Sequence, residues 1–170
     1  MIHDQSAIHF VTFTVNQWVD VFTRPVYKDL LIDSLKYCQE NKGLQVYAYV
    51  IMTNHIHLII SAVDGNLSDI IRDFKKFTSK RIFKEIEQNP QESRKKWMLW
   101  ALKKDEKVWF WKAGYHGEHI YSTNFFNSKL DYIHANPVVQ SIVLNPEDYY
   151  YSSGADYYGT RKGTLSIIIN

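Results

Sequence analysis

Two histidines alternate inside an apolar run, Tyr49-Val50-Ile51-Met52-Thr53-Asn54-His55-Ile56-His57-Leu58-Ile59-Ile60, and this pattern restricts the fold more than any other in the chain. The neighbours are β-branched, aromatic or aliphatic, so the run reads as a strand or two adjoining strands. Residues two apart on a strand leave the same face, so His55 and His57 are expected side by side. Two imidazoles fixed in that way make half of a divalent-metal site.

The remaining elements are consistent with that sheet. Ile8 to Val15 alternates and is rich in strand formers, giving a first strand. Arg24-Pro25 opens a helix whose buried stripe is Leu30, Leu31, Ser34, Leu35 and Cys38, ended by Asn41-Lys42-Gly43. Leu44 to Thr53 and His55 to Val63 are the next strands, with a turn or kink at Asn54. Leu67 to Ile86 reads as a long helix with Leu67, Ile70, Ile71, Phe74, Phe77, Thr78, Ile82 and Phe83 on one side. Gln91 to Lys107 reads as a short helix or an irregular loop, and Val108 to Trp111 as a short strand. Ser122 or Thr123 caps a third helix running to about Ala135, with Pro137 just beyond its end. A tyrosine-rich tail begins at about 145. The order strand, helix, strand, strand, helix, strand is that of a ferredoxin-like split βαβ unit in the α+β class. An antiparallel sheet with helices on one face is expected, with the other face open to a metal and a nucleic-acid strand.

At 170 residues and 45% hydrophobic content, the chain reads as a single globular domain over 1–170. No apolar stretch reaches the ~18 residues of a membrane span. One cysteine, Cys38, forms no internal disulfide, and the amino terminus lacks the order of a secretory signal, so a cytoplasmic setting is expected. The net charge of +2 hides an uneven distribution: residues 72–112 hold 13 of the 20 Lys and Arg against 6 Asp and Glu. A basic middle suits a binder of phosphate backbone, although a solvated helix face with a charged loop has the same composition. The expected DNA contacts are Arg72, Lys75, Lys76, Lys80 and Arg81 on the second helix and Arg94, Lys95 and Lys96 in the following segment. Trp97, Trp100, Trp109 and Trp111 are available to stack on unpaired bases, and some of them belong to the core.

On the third helix, Tyr132 and Asn136 lie four residues apart and share a face, flanked by Lys129. Phe126, Leu130 and Ile133 form an adjoining apolar stripe able to hold that helix on the sheet. If it docks over His55 and His57, Asn136 offers an amide oxygen and Tyr132 a phenol beside the same cation. A phenol is a weak nucleophile at neutral pH and needs activation, and a metal with open positions polarises a phosphodiester. Taken singly, each residue is ordinary: a His pair, a helical tyrosine and an asparagine before proline occur widely without chemistry.

Together they resemble a known family. Thr53-Asn54-His55-Ile56-His57-Leu58-Ile59-Ile60 is similar to the His-hydrophobe-His motif of the HUH single-tyrosine transposases. Lys129-Leu130-Asp131-Tyr132-Ile133-His134-Ala135-Asn136-Pro137-Val138 resembles the tyrosine helix of their REP-associated branch. Phe110-Trp111-Lys112-Ala113-Gly114-Tyr115-His116-Gly117-Glu118-His119-Ile120 resembles that branch's Trp-rich segment, and Asp148 to Ser153 with Tyr157 its closing tail. The resemblance implies a transposase that cleaves single-stranded DNA beside a foldback hairpin. It implies Tyr132 as nucleophile, leaving a 5′-phosphotyrosine, and Mg²⁺ or Mn²⁺ held by His55, His57 and Asn136. Compact members place Gln at the third ligand, so Asn136 follows the REP-associated pattern with a shorter reach. His119, more than His116, is expected to contact the DNA, and Lys129 with it. The resemblance leaves both a homodimer and a monomer open, because compact members exchange the tyrosine helix between subunits and REP-associated relatives can be monomeric. Two other readings share the same residues: a non-catalytic, domesticated binder of hairpin or single-stranded nucleic acid on this fold, and a Zn²⁺ hydrolase using His55 and His57.

Overall fold

The computed structural model describes residue 2 and residues 4–169, with the His116 side chain also outside the described set. Four strands form one antiparallel sheet in the order β2 (Leu44–Ile51), β3 (His55–Ala62), β1 (His9–Thr14) and β6 (His116–His119). β1 lies between β3 and β6, and β3 between β1 and β2, which is the interleaving of two split βαβ units. The two crossovers carry α1 (Pro25–Lys42) and α2 (Leu67–Gln88). α3 (Lys95–Ala101) and a two-residue hairpin, β4 (Lys103–Lys104) with β5 (Lys107–Val108), precede β6; α4 (Thr123–Val139) and α5 (Gly154–Tyr158) follow it.

Alternation along each strand sorts the core into two layers. Val11 and Phe13 of β1 and Ile56, Leu58 and Ile60 of β3 face α1 and α2, packing on Leu31, Leu35, Ile70, Phe74 and Ile82. Phe10, Val50, Met52 and Ile59 face the other way, onto Ile133, Phe126 and Leu130 of α4 and Tyr149 of the tail. The second face is therefore not open along its length: α4 and the tail cover much of it, because the stripe Phe126, Leu130 and Ile133 buries there. The tail also occupies the outer edge of β2. Ile51 N–H donates to Tyr151 O at 2.9 Å, Ser153 N–H to Tyr49 O at 3.0 Å and Ile168 N–H to Val46 O at 3.0 Å. Pairing an edge in this way removes a template for aggregation.

Local chemistry explains the element ends. Pro25 occupies the first turn of α1, and Gly43 closes it at φ 69°, where its N–H reaches Cys38 O. Met52 N–H donates to His55 O at 2.9 Å, so Thr53 and Asn54 are the tip of a tight hairpin that starts β3 at His55. Ser122 caps α4 by accepting from Phe125 N–H at 3.2 Å.

Three expectations need correction. The fourth sheet strand is His116–His119 rather than Val108 to Trp111. Gly117 and Glu118 have poor strand propensity, and β1 alone recruits them as an edge. Trp111 instead makes an isolated bridge to Val15 and buries its ring, with Nε1–H donated to Thr78 Oγ1 at 3.0 Å. Pro137 lies inside the last turn of α4: it forgoes only the bond to the Ile133 carbonyl, and Gln140 N–H still reaches Asn136 O at 3.1 Å beyond it. Phe77 is exposed on α2, where it lines an open groove with Leu30 and Tyr37 of α1 instead of being covered by them.

Candidate active site

His55 and His57 project from β3 on the face that α4 covers, their ring centroids 4.7 Å apart. Each imidazole has a partner on its Nδ1. His57 Nδ1 lies 2.8 Å from Thr12 Oγ1, and Thr12 stands directly opposite His57 in the β1–β3 register. His55 Nδ1 lies 2.7 Å from Asn54 Oδ1 at the hairpin tip. An amide oxygen accepts only, so His55 donates Nδ1–H and keeps its lone pair on Nε2. In the tautomer that donates Nδ1–H to Thr12, His57 has the same arrangement. Its Nε2 is buried and has no hydrogen-bond partner among the described residues. Two oriented imidazoles with free Nε2 atoms and satisfied Nδ1 atoms are what metal-ligating histidines require.

The electrostatics favour the ligand form. Burial pushes His57 down to about 3, helped by the neighbouring His55 and Lys129 charges. Burial also lowers His55. Both rings are therefore neutral at physiological pH, with lone pairs ready for a cation.

α4 folds back over this pair in the same chain. The Tyr132 ring lies 5.1 Å from that of His57 and 6.0 Å from that of Phe10, and Phe10 stacks on His57 at 5.5 Å. Tyr132 is 50% exposed, so its phenol borders both the histidines and solvent. Asn136 is one turn further along α4, buried, with Oδ1 accepting only a long 3.4 Å bond from Gln140. Among the described residues no three His, Cys, Asp or Glu side chains cluster as a cation site, so a third protein donor has to be of another type. The Asn136 amide oxygen is of that other type. On the opposite flank, Lys129 Nζ lies 4.5 Å above the Phe10 ring and pairs with Glu118 of β6 at 2.7 Å.

The basic residues do not gather here. α2 packs on the other side of the sheet, and its Lys76, Lys80 and Arg81 are exposed there. Arg72 pairs with Asp69 and Asp73. Lys75 turns its ammonium onto the carbonyls of Lys112 and Gly114, and burial pushes it down to about 8. Arg94 ties Asp20 at 2.7 Å and Thr23 at 2.9 Å to the start of α3, where Lys95 and Lys96 follow. His119 pairs with His9 across β1–β6 and stacks on it at 5.5 Å, which puts it on the α2 side of β6, away from His57. The His116 side chain lies outside the described residues. Trp97, Trp100 and Trp109 are exposed. Sequence reasoning missed Thr12, Asn54, Phe10 and Glu118. Asn54 adjoins the motif and was readable as a turn residue with an acceptor, but the other three enter only through strand register.

Comparisons with known proteins place the chain in a family. The family model described as "Transposase IS200 like" matches residues 3–136, ending on Asn136. Among solved structures, a REP-associated tyrosine transposase bound to a REP hairpin has a TM-score of 0.68 at 16% identity, covering 100% of this chain and 91% of that one. A putative transposase from Deinococcus radiodurans R1 has a TM-score of 0.47 at 17% identity, covering 78% of this chain and 91% of that one. No curated protein matches by sequence. With four-fifths of its length matched in one stretch, His pair and tyrosine helix included, the chain belongs to the IS200-like family of the HUH single-tyrosine transposases.

Proposed function

We propose that this transposase cleaves and rejoins single-stranded DNA through Tyr132, beside a foldback hairpin. The observation that carries the reading is the Tyr132 ring set 5.1 Å from His57, whose Nε2 is buried and unpartnered. Tyr132 Oη attacks phosphorus, the P–O3′ bond breaks, and the departing 3′-oxygen takes a proton from solvent to become the 3′-hydroxyl. The phenol proton passes to solvent at the exposed side of the ring. The product is a 5′-phosphotyrosine, and attack by another 3′-hydroxyl reverses the step onto a new strand. Bond energy is kept in the linkage, so no nucleoside triphosphate is needed.

His55 and His57 would hold a divalent cation, Mg²⁺ or Mn²⁺, with the Asn136 amide oxygen as third donor. Such an ion supplies Lewis-acid polarisation of the scissile phosphate and offsets charge in the transition state. Imidazole donors favour Mn²⁺ over Mg²⁺. Phe10 stacks on His57, and Lys129, held by Glu118, sets an ammonium about one helical turn before the nucleophile. The exposed Lys76, Lys80, Arg81 and Lys96 serve the phosphate backbone outside the cleavage site. The relative solved with a REP hairpin supports a hairpin as the recognition element.

The test is incubation with single-stranded DNA carrying hairpins from the flanking genome, with Mn²⁺, on denaturing gels. A covalent adduct that disappears in Tyr132→Phe while DNA binding persists is expected. An undiminished adduct in that variant places the nucleophile elsewhere. Tight hairpin binding indifferent to chelator, with no adduct under any metal, makes the protein a non-catalytic binder.

A further inference from the structure

We propose that Tyr121, Phe125 and Lys129 form a stacking lane that holds the unpaired nucleotides leading to the scissile phosphate. This rests on the reading of Tyr132 as the cleaving residue and adds the element that positions its substrate. Tyr121 precedes the Ser122 cap and is 75% exposed, and its ring lies near-parallel to that of Phe125, 5.0 Å away at 19°. Lys129 Nζ lies 5.1 Å from the Phe125 ring and 4.5 Å from the Phe10 ring, and Phe10 meets Tyr132 at 6.0 Å. Positions 125, 129, 132 and 136 follow helical spacing on one face of α4, and Tyr121, just ahead of the cap, stacks on the first of them, so the row leads from solvent toward the histidine pair.

Lys129 also ties α4 to Glu118 of β6, but packing onto the core does not account for Tyr121. A hydrophobic staple would pair Tyr121 with the fourth helical residue, Phe126. Phe126 instead turns onto the sheet, 6.1 Å from the Tyr47 ring, and Tyr121 stacks on the outward Phe125. An exposed Tyr121 ring stacked on the half-buried Phe125, beside the Glu118-paired ammonium of Lys129, fits an unpaired base with its phosphate. Duplex bases are already stacked on each other, so only unpaired ones can use the ring faces. Continuity with Tyr132 selects DNA at the cleavage position over any separate ligand.

The experiment uses full-length Tyr132→Phe protein with chelator, so cleavage plays no part. A hairpin oligonucleotide carries 2-aminopurine, a fluorescent base, scanned through its unpaired flank. Binding is expected to quench one or two flank positions. Adding Tyr121→Ala removes the quenching and weakens binding about tenfold, the effect of losing one base–aromatic stack, while Tyr121→Trp keeps both. A blunt stem without a flank binds both proteins equally. Unchanged quenching in Tyr121→Ala, or an equal loss of affinity for the blunt stem, overturns the proposal. A failure to form the covalent adduct with unmodified protein is read separately and strikes the cleavage reading alone.

Discussion

Replacing Thr12 with valine tests the support of the histidine pair with almost no change in shape. Thr12 Oγ1 is the hydrogen-bond partner of His57 Nδ1, at 2.8 Å, and His57 is 5% exposed. Without the hydroxyl, nothing holds the proton on Nδ1, and the alternative tautomer places it on the atom meant for the cation. Loss of such an outer partner lowers metal affinity about 10- to 100-fold, or roughly 1.4 to 2.7 kcal/mol. The stranded Nδ1 also costs about 1 to 3 kcal/mol of folding stability. The assay is the Mn²⁺ concentration giving half-maximal covalent adduct with single-stranded DNA, alongside urea unfolding in chelator. Thr12→Val is expected to shift the metal midpoint upward by that factor, while Thr12→Ser, which keeps the oxygen, stays near the parent. A Thr12→Val protein with the parent's Mn²⁺ midpoint would refute the argument that Thr12 sets the tautomer of His57.

Glu92 is buried and accepts from Arg24 at 2.9 Å, Tyr27 at 3.1 Å and the Arg94 N–H at 3.1 Å; Glu92→Ala is expected to cost about 3 kcal/mol in urea unfolding, since it strands those donors. Burial pushes His134 down to about 4 against a pull upward from Asp131. Between pH 6.5 and 4 the unfolded chain then binds more protons than the folded one, so stability falls as pH drops through that window. The His134 share of the loss is about 2 kcal/mol from pH 7 to 5, and urea midpoints of His134→Gln in chelator are expected to show a correspondingly flatter slope. Tyr132 and His57 meet within one chain, so a mixture of His57→Ala and Tyr132→Phe proteins is expected to form no covalent adduct; adduct in the mixture would show helix exchange between subunits.

The histidine pair, the helix over Leu67–Gln88 and the capped tyrosine helix were legible because each depends on short-range rules: alternation, helical spacing and a serine cap. The same rules put Tyr132 and Asn136 on one face, and the apolar stripe Phe126, Leu130 and Ile133 foretold that α4 would bury against the sheet. Other features depend on contacts distant in sequence. His116–His119 becomes a strand only by pairing with β1, so its alternation decides that Glu118 meets Lys129 while His119 turns away from His57. Thr12 reaches His57 from 45 residues away. Lys75 and Arg94 read as surface cations, but local carbonyls and the Asp20 carboxylate take their donors. Four tryptophans of one composition divide into Trp111, buried under Thr78, and three exposed ones, and only packing makes that division.

The most direct measurement is peptide mapping of the trapped protein–DNA adduct by mass spectrometry. A nucleotide mass on the α4 peptide, fragmenting at residue 132, is the predicted result. The same mass on any other of the chain's 12 tyrosines would contradict the account.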